Sequence, residues 1–142
     1  MKKNYIGVIF FVFFLFSACD SDREQLQKKS MDKFLGKYVS EGYFRRSDGY
    51  DWVSVLITKK DENNVYISVK SRSDKKKSTC TFDGEGVMVG NNTLKSIFNE
   101  KNILFDLKND VIKIYMEKDS GLLYFFCSGG ASLEGSYKKL KN

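Results

Sequence analysis

Residues 103–117 read Ile-Leu-Phe-Asp-Leu-Lys-Asn-Asp-Val-Ile-Lys-Ile-Tyr-Met-Glu, which is the clearest fold signal in the chain. Apolar residues occur at every second position on both sides of Asn109-Asp110, which is the pattern of half-buried β-strands. Asn and Asp tolerate the positive φ angles that a tight hairpin turn requires. The stretch therefore predicts two antiparallel strands joined by a short turn.

Runs with the same period of two recur from Leu35 onward, and short turn signals separate them. The connections are about two to five residues long, whereas parallel neighbours need a crossover of about a dozen residues. We therefore expect an all-β fold, a single antiparallel meander of about eight strands that closes as a small β-barrel to hide its edges, with a sandwich as the alternative. The runs cover residues 53–57, 65–69, 80–82, 103–107, 112–116 and 123–127. The turn signals lie at residues 48–49, 63–64, 73–74, 84–86, 109–110 and 120–121.

The first and last strands of this region begin alike. Gly36-Lys37-Tyr38 opens the first strand, and Gly135-Ser136-Tyr137 opens the last. This repeat of Gly-x-Tyr predicts that the two strands pair with each other. Such a pair closes the barrel.

The N-terminal segment has the features of a signal peptide. Lys2 and Lys3 form a positive region, and the apolar run over residues 5–16 follows it without a charge. A membrane-spanning helix needs about 20 apolar residues, so this run is too short to span a bilayer. Small residues come after the run, where a signal peptidase would cut. A buried core helix is the alternative, but the run has no polar face.

The sequence Phe16-Ser17-Ala18-Cys19 resembles the lipobox of bacterial lipoproteins. In that family the residue at the place of Phe16 is usually leucine, and here leucine stands one position earlier. The resemblance implies that the Cys19 thiol takes a diacylglyceryl group and that signal peptidase II cuts before this residue. It also implies acylation of the new amine, including palmitate, and a membrane anchor. The implied location is the bacterial cell envelope, in the outer membrane or on the periplasmic face of the inner membrane.

These patterns divide the chain into three parts. Residues 1–18 are the expected signal peptide, and residues 19–33 form a polar tether, for which a short helix is one option. Residues 34–142 form the expected barrel domain, which we expect to be monomeric.

The cysteine count predicts one disulfide. If Cys19 carries the lipid, Cys80 and Cys127 remain as an even pair, and both lie on the inward phase of their predicted strands. Disulfides persist in the oxidising envelope and outside the cell. We therefore expect a Cys80–Cys127 bridge, with two free buried thiols as the alternative.

The composition excludes several classes of chemistry. The chain has 142 residues and no histidine, and its 24 Lys+Arg against 18 Asp+Glu give a formal net charge of +6. Without histidine it has no Ser-His-Asp triad, no Cys-His pair and no imidazole metal ligand. Carboxylate pairs and Ser-Lys nucleophiles remain open, but no spacing marks either. We therefore expect no enzymatic activity, no catalytic residue, no cofactor and no metal site.

An aromatic and arginine-rich segment is a candidate binding surface. Arg45, Arg46, Tyr50 and Trp52 flank the first turn, and aromatic residues with arginine are typical of binding hot spots. Cross-strand packing of the same residues is the alternative. Trp52 is out of phase with the inward residues that follow it, which predicts an exposed or cleft-lining ring.

Two further segments are candidates for anion binding. The basic stretch over residues 70–77 contains Lys75, Lys76 and Lys77, which favours anionic lipid, polysaccharide or an acidic protein, with a solubilising loop as the alternative. Residues 128–132, Ser-Gly-Gly-Ala-Ser, could cradle an anion through backbone amides, or simply join two strands. We expect no nucleic-acid partner, because the envelope keeps the chain away from it.

The expected function is binding of a protein or glycan by a lipid-anchored barrel. The start Gly36-Lys37-Tyr38 followed by a meander resembles lipocalin-like barrels, which implies as an alternative a carrier of a small hydrophobic ligand. Size, anchor and cysteine count resemble small envelope lipoproteins that inhibit lysozyme, which implies an inhibitor of a lytic enzyme. The basic charge disfavours the inhibitor, since lysozyme is itself basic.

Overall fold

Eight antiparallel strands close into a barrel in the computed structural model, which describes residues 30–72 and 79–141. Each strand pairs with its neighbours along the chain, and the first strand pairs with the last. The predicted all-β meander and its closure as a barrel are therefore confirmed. The strands are β1 (Gly36–Val39), β2 (Val53–Lys59), β3 (Asn64–Ser71), β4 (Phe82–Met88), β5 (Thr93–Phe98), β6 (Lys101–Lys108), β7 (Val111–Tyr115) and β8 (Gly135–Lys139).

The hairpin of β6 and β7 has the predicted form. Leu104 lies opposite Tyr115, and the register continues to the last pair, Lys108 and Val111. The turn residues Asn109 and Asp110 have φ angles of 51° and 61°. Positive φ at both central positions is the requirement of a type I′ turn, whose twist matches that of the strands.

The barrel closes between β1 and β8, as the repeated strand start predicts. Tyr38 pairs with Lys139, and Val39 pairs with Lys138. The phenols of Tyr38 and Tyr137 are buried, and each donates a hydrogen bond to the carbonyl four residues earlier, at 3.0 Å for Tyr38 and 2.8 Å for Tyr137. These bonds satisfy the two buried hydroxyls at the seam.

The predicted strand over residues 123–127 is wrong, because this segment contains a short helix, α1 (Gly121–Phe125). Only Leu123 is fully buried there, while Tyr124 and Phe125 are exposed. The run is apolar at nearly every position, so its period cannot distinguish a strand from a helix. The turn signal at residues 120–121 marks the start of α1.

One of the eight strands, β5, was not predicted, because the sequence of this segment does not show the alternation of a half-buried strand. Its inward residues are Leu94 and Ser96, both buried. Because a buried serine interrupts the apolar face, the stretch does not read as a half-buried strand. A second element that the sequence did not indicate is a 3-10 helical segment, Glu41–Asp48, which ends at Gly49 with a φ of 88°.

The predicted turn at residues 84–86 is also wrong, because Gly84 and Gly86 lie inside β4. A Cβ atom on Gly84 would lie 2.6 Å from Cζ of Phe82, and one on Gly86 would lie 2.8 Å from Cδ1 of Ile67. The glycines thus make room for large buried side chains, which is one use of glycine within a strand. The turn signal at residues 73–74 lies outside the described residues.

Side chains fill the interior of the barrel. Inward-facing residues of the strands form one buried cluster, which also contains Met31 and Phe34 ahead of β1 and Leu123 and Leu133 ahead of β8. Residues 30–32 are helical, and Met31 belongs to the buried cluster. The packed domain therefore begins at least three residues before residue 34, the start predicted from the sequence. The interior of an eight-stranded barrel is just wide enough for side chains to fill it.

The connections divide between the two ends of the barrel. Ser30 donates to the Asn91 carbonyl at 2.7 Å, and Lys33 donates to Oδ1 of Asn92 at 2.6 Å. The chain therefore enters beside the β4–β5 connection, and we call this the N-terminal end. Because the strands alternate in direction, the β1–β2, β3–β4, β5–β6 and β7–β8 connections lie at the opposite end, which we call the far end. No helix among residues 30–72 and 79–141 has the length and apolar character to cross a bilayer.

We predict that Gly84→Ala destabilises the barrel by about 1–3 kcal/mol, since the added methyl group overpacks a filled core. Gly90→Ala is the matched control, because a Cβ there meets nothing within 4 Å. The measurement is the urea midpoint of each variant. Equal midpoints for the two variants would contradict the packing described for β4.

We predict that the protein loses stability in alkaline solution above pH about 10, the ordinary pKa of tyrosine. Burial raises the pKa of Tyr137 to about 12, and burial together with the Asp110 carboxylate raises that of Tyr38. The folded state therefore holds the phenolic protons more tightly, and this stabilisation is complete below about pH 10 and declines as the pH rises towards the folded value. Thermal unfolding across this range checks it. Tyr137→Phe should flatten the decline, and an unchanged slope in that variant would count against the explanation.

Candidate functional site

A pocket of about 240 Å³ opens at the far end of the barrel. Three connections that are distant in sequence form its wall, namely the segments before β2, before β4 and before β8. The lining residues are Ser40, Asp51, Trp52, Val53, Arg72, Thr79, Cys80, Ser128, Gly129, Ala131 and Ser132.

The cysteine pair holds two of these connections together. The Sγ atoms of Cys80 and Cys127 lie 2.16 Å apart, at disulfide distance, as the sequence predicts. Backbone hydrogen bonds flank the pair, from Thr81 N–H to the Phe126 carbonyl at 2.9 Å and from Ser128 N–H to the Thr79 carbonyl at 2.7 Å. The loop over residues 128–132 is thereby tied to the start of β4.

Ser71 fixes the other side of the pocket. Its hydroxyl is buried, donates to the Cys80 carbonyl at 2.8 Å, and accepts from the N–H groups of Thr79 at 3.0 Å and Cys80 at 2.6 Å. One side chain thus joins the end of β3 to the residues that precede β4. Sequence reasoning missed this role, since a lone serine at a strand end carries no specific signal.

Arg72 is the cation of the pocket and has unusual geometry. Its φ of 44° is positive, which is uncommon for a residue other than glycine. Its Nη1 lies 3.0 Å from Oδ1 of Asp51 and forms an ion pair with it, while its Nε–H is buried and has no hydrogen-bond partner among residues 30–72 and 79–141. Buried donors are almost always satisfied in folded proteins. The guanidinium therefore retains hydrogen-bonding capacity within the wall of the pocket.

The loop over residues 128–132 supplies further donors. Gly129 and Gly130 have φ angles of 69° and 79°, a conformation that glycine adopts without strain. Ser128 N–H donates to the Thr79 carbonyl. Within the part of the chain that the structure describes, the N–H groups of Gly129, Gly130 and Ser132 have no acceptor.

Hydroxyl groups complete the lining. The Ser40 hydroxyl accepts from Val53 N–H at 2.9 Å, and the Ser132 hydroxyl accepts from Glu134 N–H at 3.0 Å. Each hydroxyl proton remains available to a ligand. The site is therefore rich in donors, with the Asp51 carboxylate as its charged acceptor. Among the described residues, no three Cys, Asp or Glu side chains are grouped closely enough to hold a metal ion.

Trp52 lies in the wall of the pocket and is buried rather than exposed, with 7% of its surface accessible. Its ring packs edge-on against Tyr43, with the centroids 5.3 Å apart. This contact joins the pocket to the 3-10 segment. The structure therefore places the ring in a cleft wall and excludes the exposed position that was the other reading of the sequence.

The residues of the 3-10 segment form an exposed surface beside the pocket. The guanidinium carbon of Arg45 lies 3.6 Å from the ring centroid of Tyr50, and that of Arg46 lies 4.0 Å from the ring centroid of Tyr43. Phe44 is 58% exposed. We call residues 43–50 the aromatic–arginine shelf, and the structure thus brings together the predicted Arg45, Arg46 and Tyr50.

Two groups of predicted site residues lie outside the described part of the chain. They are the lipidation candidate Cys19 and the lysines Lys75, Lys76 and Lys77. Arg72 and Thr79, the described residues on either side of the lysines, both line the pocket.

The fold and the site define a small closed antiparallel barrel with a donor-rich pocket at one end. No protein-family model, curated protein or solved structure matches this chain.

We predict that loss of the disulfide destabilises the domain by roughly 4 kcal/mol, because the cross-link closes a loop with a sequence separation of 47 residues. Denaturant unfolding of Cys80→Ala/Cys127→Ala against the parent chain measures this. The background should be Cys19→Ala, so that no other thiol contributes. In that background, thiol titration of the unfolded, unreduced chain should find no free thiol, and two free thiols would disprove the bridge.

Proposed function

We propose that this protein is a lipid-anchored lipoprotein of the bacterial cell envelope whose far end binds a protein or glycan partner without enzymatic chemistry. The observation that carries the proposal is the position of the binding features. The pocket and the aromatic–arginine shelf lie at the far end, whereas Ser30 enters the barrel at the N-terminal end beside Asn91. An anchor at Cys19 would therefore hold the domain with its binding end directed away from the membrane.

The dimensions support this orientation. A strand of 7 residues such as β2 is about 23 Å long at about 3.3 Å per residue. Residues 19–29 would add up to roughly 36–40 Å when extended. The far end is thus within reach of partners beyond the lipid headgroups.

The filled interior supports a surface binder over a carrier. A carrier of a hydrophobic ligand needs an internal void, and pockets for such ligands measure about 300–1,000 Å³. Here buried side chains such as Phe34, Ile67, Phe105 and Ile112 belong to one continuous core cluster. The pocket at the far end has both polar and apolar groups in its lining, and a hydrophobic ligand would leave the polar ones without hydrogen bonds.

The charge distribution indicates an acidic partner. Removal of residues 1–18 takes two lysines with it, so the net charge falls from +6 to 22 − 18 = +4. Residues 70–77 contain five of the remaining cations and one acidic residue, 5 − 1 = +4. The excess charge of the mature chain thus equals that of residues 70–77, the segment that contains Arg72, and it disfavours a basic enzyme as the partner.

The anchor is tested by Cys19→Ala. We expect the parent chain to incorporate labelled palmitate and to sediment with membranes, and the variant to do neither, because it lacks the thiol that takes the lipid. Cys127→Ala is the matched control and should still be labelled. A palmitate-labelled Cys19→Ala variant would refute the lipoprotein assignment.

The binding end is tested by pull-down with surface variants. We expect Phe44→Ala, and separately the replacement of Lys75, Lys76 and Lys77 by Ser, to reduce recovery of a partner at least about fivefold, since hot-spot residues contribute 1 kcal/mol or more. Tyr66→Ala is the matched control, because Tyr66 is 48% exposed but lies towards the N-terminal end of the barrel. If all variants recover the same partners equally, the far end is not the binding surface.

A further inference from the structure

We propose that the pocket at the far end binds the carboxylate of an acidic sugar residue, with Arg72 as the anion-binding group. The inference rests on the proposed function, because it takes the far end as the binding surface and names the class of ligand that this end receives. The proposed ligand is one sugar residue of a glycan, seated in the pocket of about 240 Å³. This volume is below the range of about 300–1,000 Å³ that is typical of pockets for drug-sized ligands.

The guanidinium of Arg72 is prepared for a carboxylate. The ion pair of Nη1 with Asp51 holds one side of the planar group, while Nε–H has no partner within the described part of the chain. The edge formed by Nε and Nη2 is a two-donor fork that matches the two oxygens of a carboxylate. An entering carboxylate would satisfy the buried donor that the structure leaves unpaired.

Backbone N–H groups of the loop over residues 128–132 are further hydrogen-bond donors for a carboxylate. Gly129 and Gly130 both have positive φ, and their N–H groups and that of Ser132 lack acceptors within the described residues. Gly129 and Ser132 line the pocket, so their N–H groups can contribute to an anion site there. The disulfide-distance pair Cys80 and Cys127 keeps this loop beside the pocket, so the amides need little reordering when a ligand enters.

The other lining groups fit the hydroxyls of a sugar ring. The hydroxyls of Ser40 and Ser132, which accept hydrogen bonds within the protein, can donate to oxygens of the sugar. Asp51 is largely exposed, at 67% of its side chain, and its carboxylate can accept from a sugar hydroxyl. Trp52 supplies an apolar wall. A bare acidic peptide side chain would leave the hydroxyls unused, which is why the arrangement favours a glycan over a protein.

Asp51 also selects for a single negative charge. Among the described lining residues Arg72 is the one cation and Asp51 the one anion, so the pair is neutral as a whole. A carboxylate is held by directed hydrogen bonds and carries one charge, whereas a phosphate monoester carries nearly two and is repelled more strongly by Asp51. The pocket therefore prefers a uronic acid to a phosphosugar.

The test uses the fluorescence of Trp52, the single tryptophan of the chain, in the full-length protein purified in detergent. The probes are glucuronate, glucose, inorganic phosphate and N-acetylglutamate amide, all at equal ionic strength. We expect saturable quenching or a spectral shift with glucuronate and none with glucose at the same concentration. An equal or greater response to glucose, phosphate or the glutamate derivative would overturn the inference.

Variants locate the response. Arg72→Gln should weaken glucuronate binding at least tenfold, and Lys108→Gln, an exposed position where β6 ends at the N-terminal end of the barrel, is the matched control that should leave it unchanged. Asp51→Asn should strengthen phosphate binding several-fold relative to the parent, an effect that a misfolded variant would not produce. Equal glucuronate binding by Arg72→Gln and the parent would refute the assignment, as would an Asp51→Asn variant that binds phosphate no better.

Failure of this inference and failure of the proposed function give different results. If no probe changes the Trp52 signal while Phe44→Ala still loses a partner in the pull-down, the acidic-sugar assignment is wrong and surface binding stands. If neither the probes nor the surface variants have an effect, both are wrong.

Discussion

Closure of the sheet by pairing of β1 with β8 is the constraint on which the other features depend. The paired residues are few, Tyr38 with Lys139 and Val39 with Lys138, but a further backbone bond extends the seam, from Leu140 N–H to the Lys37 carbonyl at 2.8 Å. An open eight-stranded meander would expose two edges with unpaired backbone groups. Closure removes both edges and gives the inward side chains a single interior to fill.

Because side chains fill the interior, the pocket lies at an end of the barrel. Gly84 and Gly86 have no side chains and so leave room for Phe82 and Ile67 to pack beside β4. Met31 and Phe34 are buried in the same core. Little space remains along the axis for a ligand. The irregular connections of the far end carry the pocket, held in place by Ser71 and by the cysteine pair.

Sequence reasoning succeeded where the local pattern was unambiguous. The alternation around Asn109-Asp110 gave the β6–β7 hairpin, and the shared strand starts gave the seam. It failed at β5, where Ser96 is buried on the inward face, and at α1, where an apolar run has no readable period. At the site, it singled out Trp52 and the loop over residues 128–132 separately, but it treated Arg72 as one member of a basic stretch. Nothing in a linear pattern shows that these three meet.

The antiparallel meander and its closure follow from local patterns, namely the period of two, the short connections and the matching starts of the first and last strands. The cysteine pair was predicted too, although Cys127 follows α1 and does not lie on a strand. Only the tertiary structure decided which apolar run becomes a helix, which glycines lie within strands, and which polar groups form the pocket. The physical reason is the range of the contacts. A hairpin turn depends on neighbouring residues, whereas Asp51, Arg72 and Gly129 line one pocket only because the closed barrel brings three distant connections to the same end.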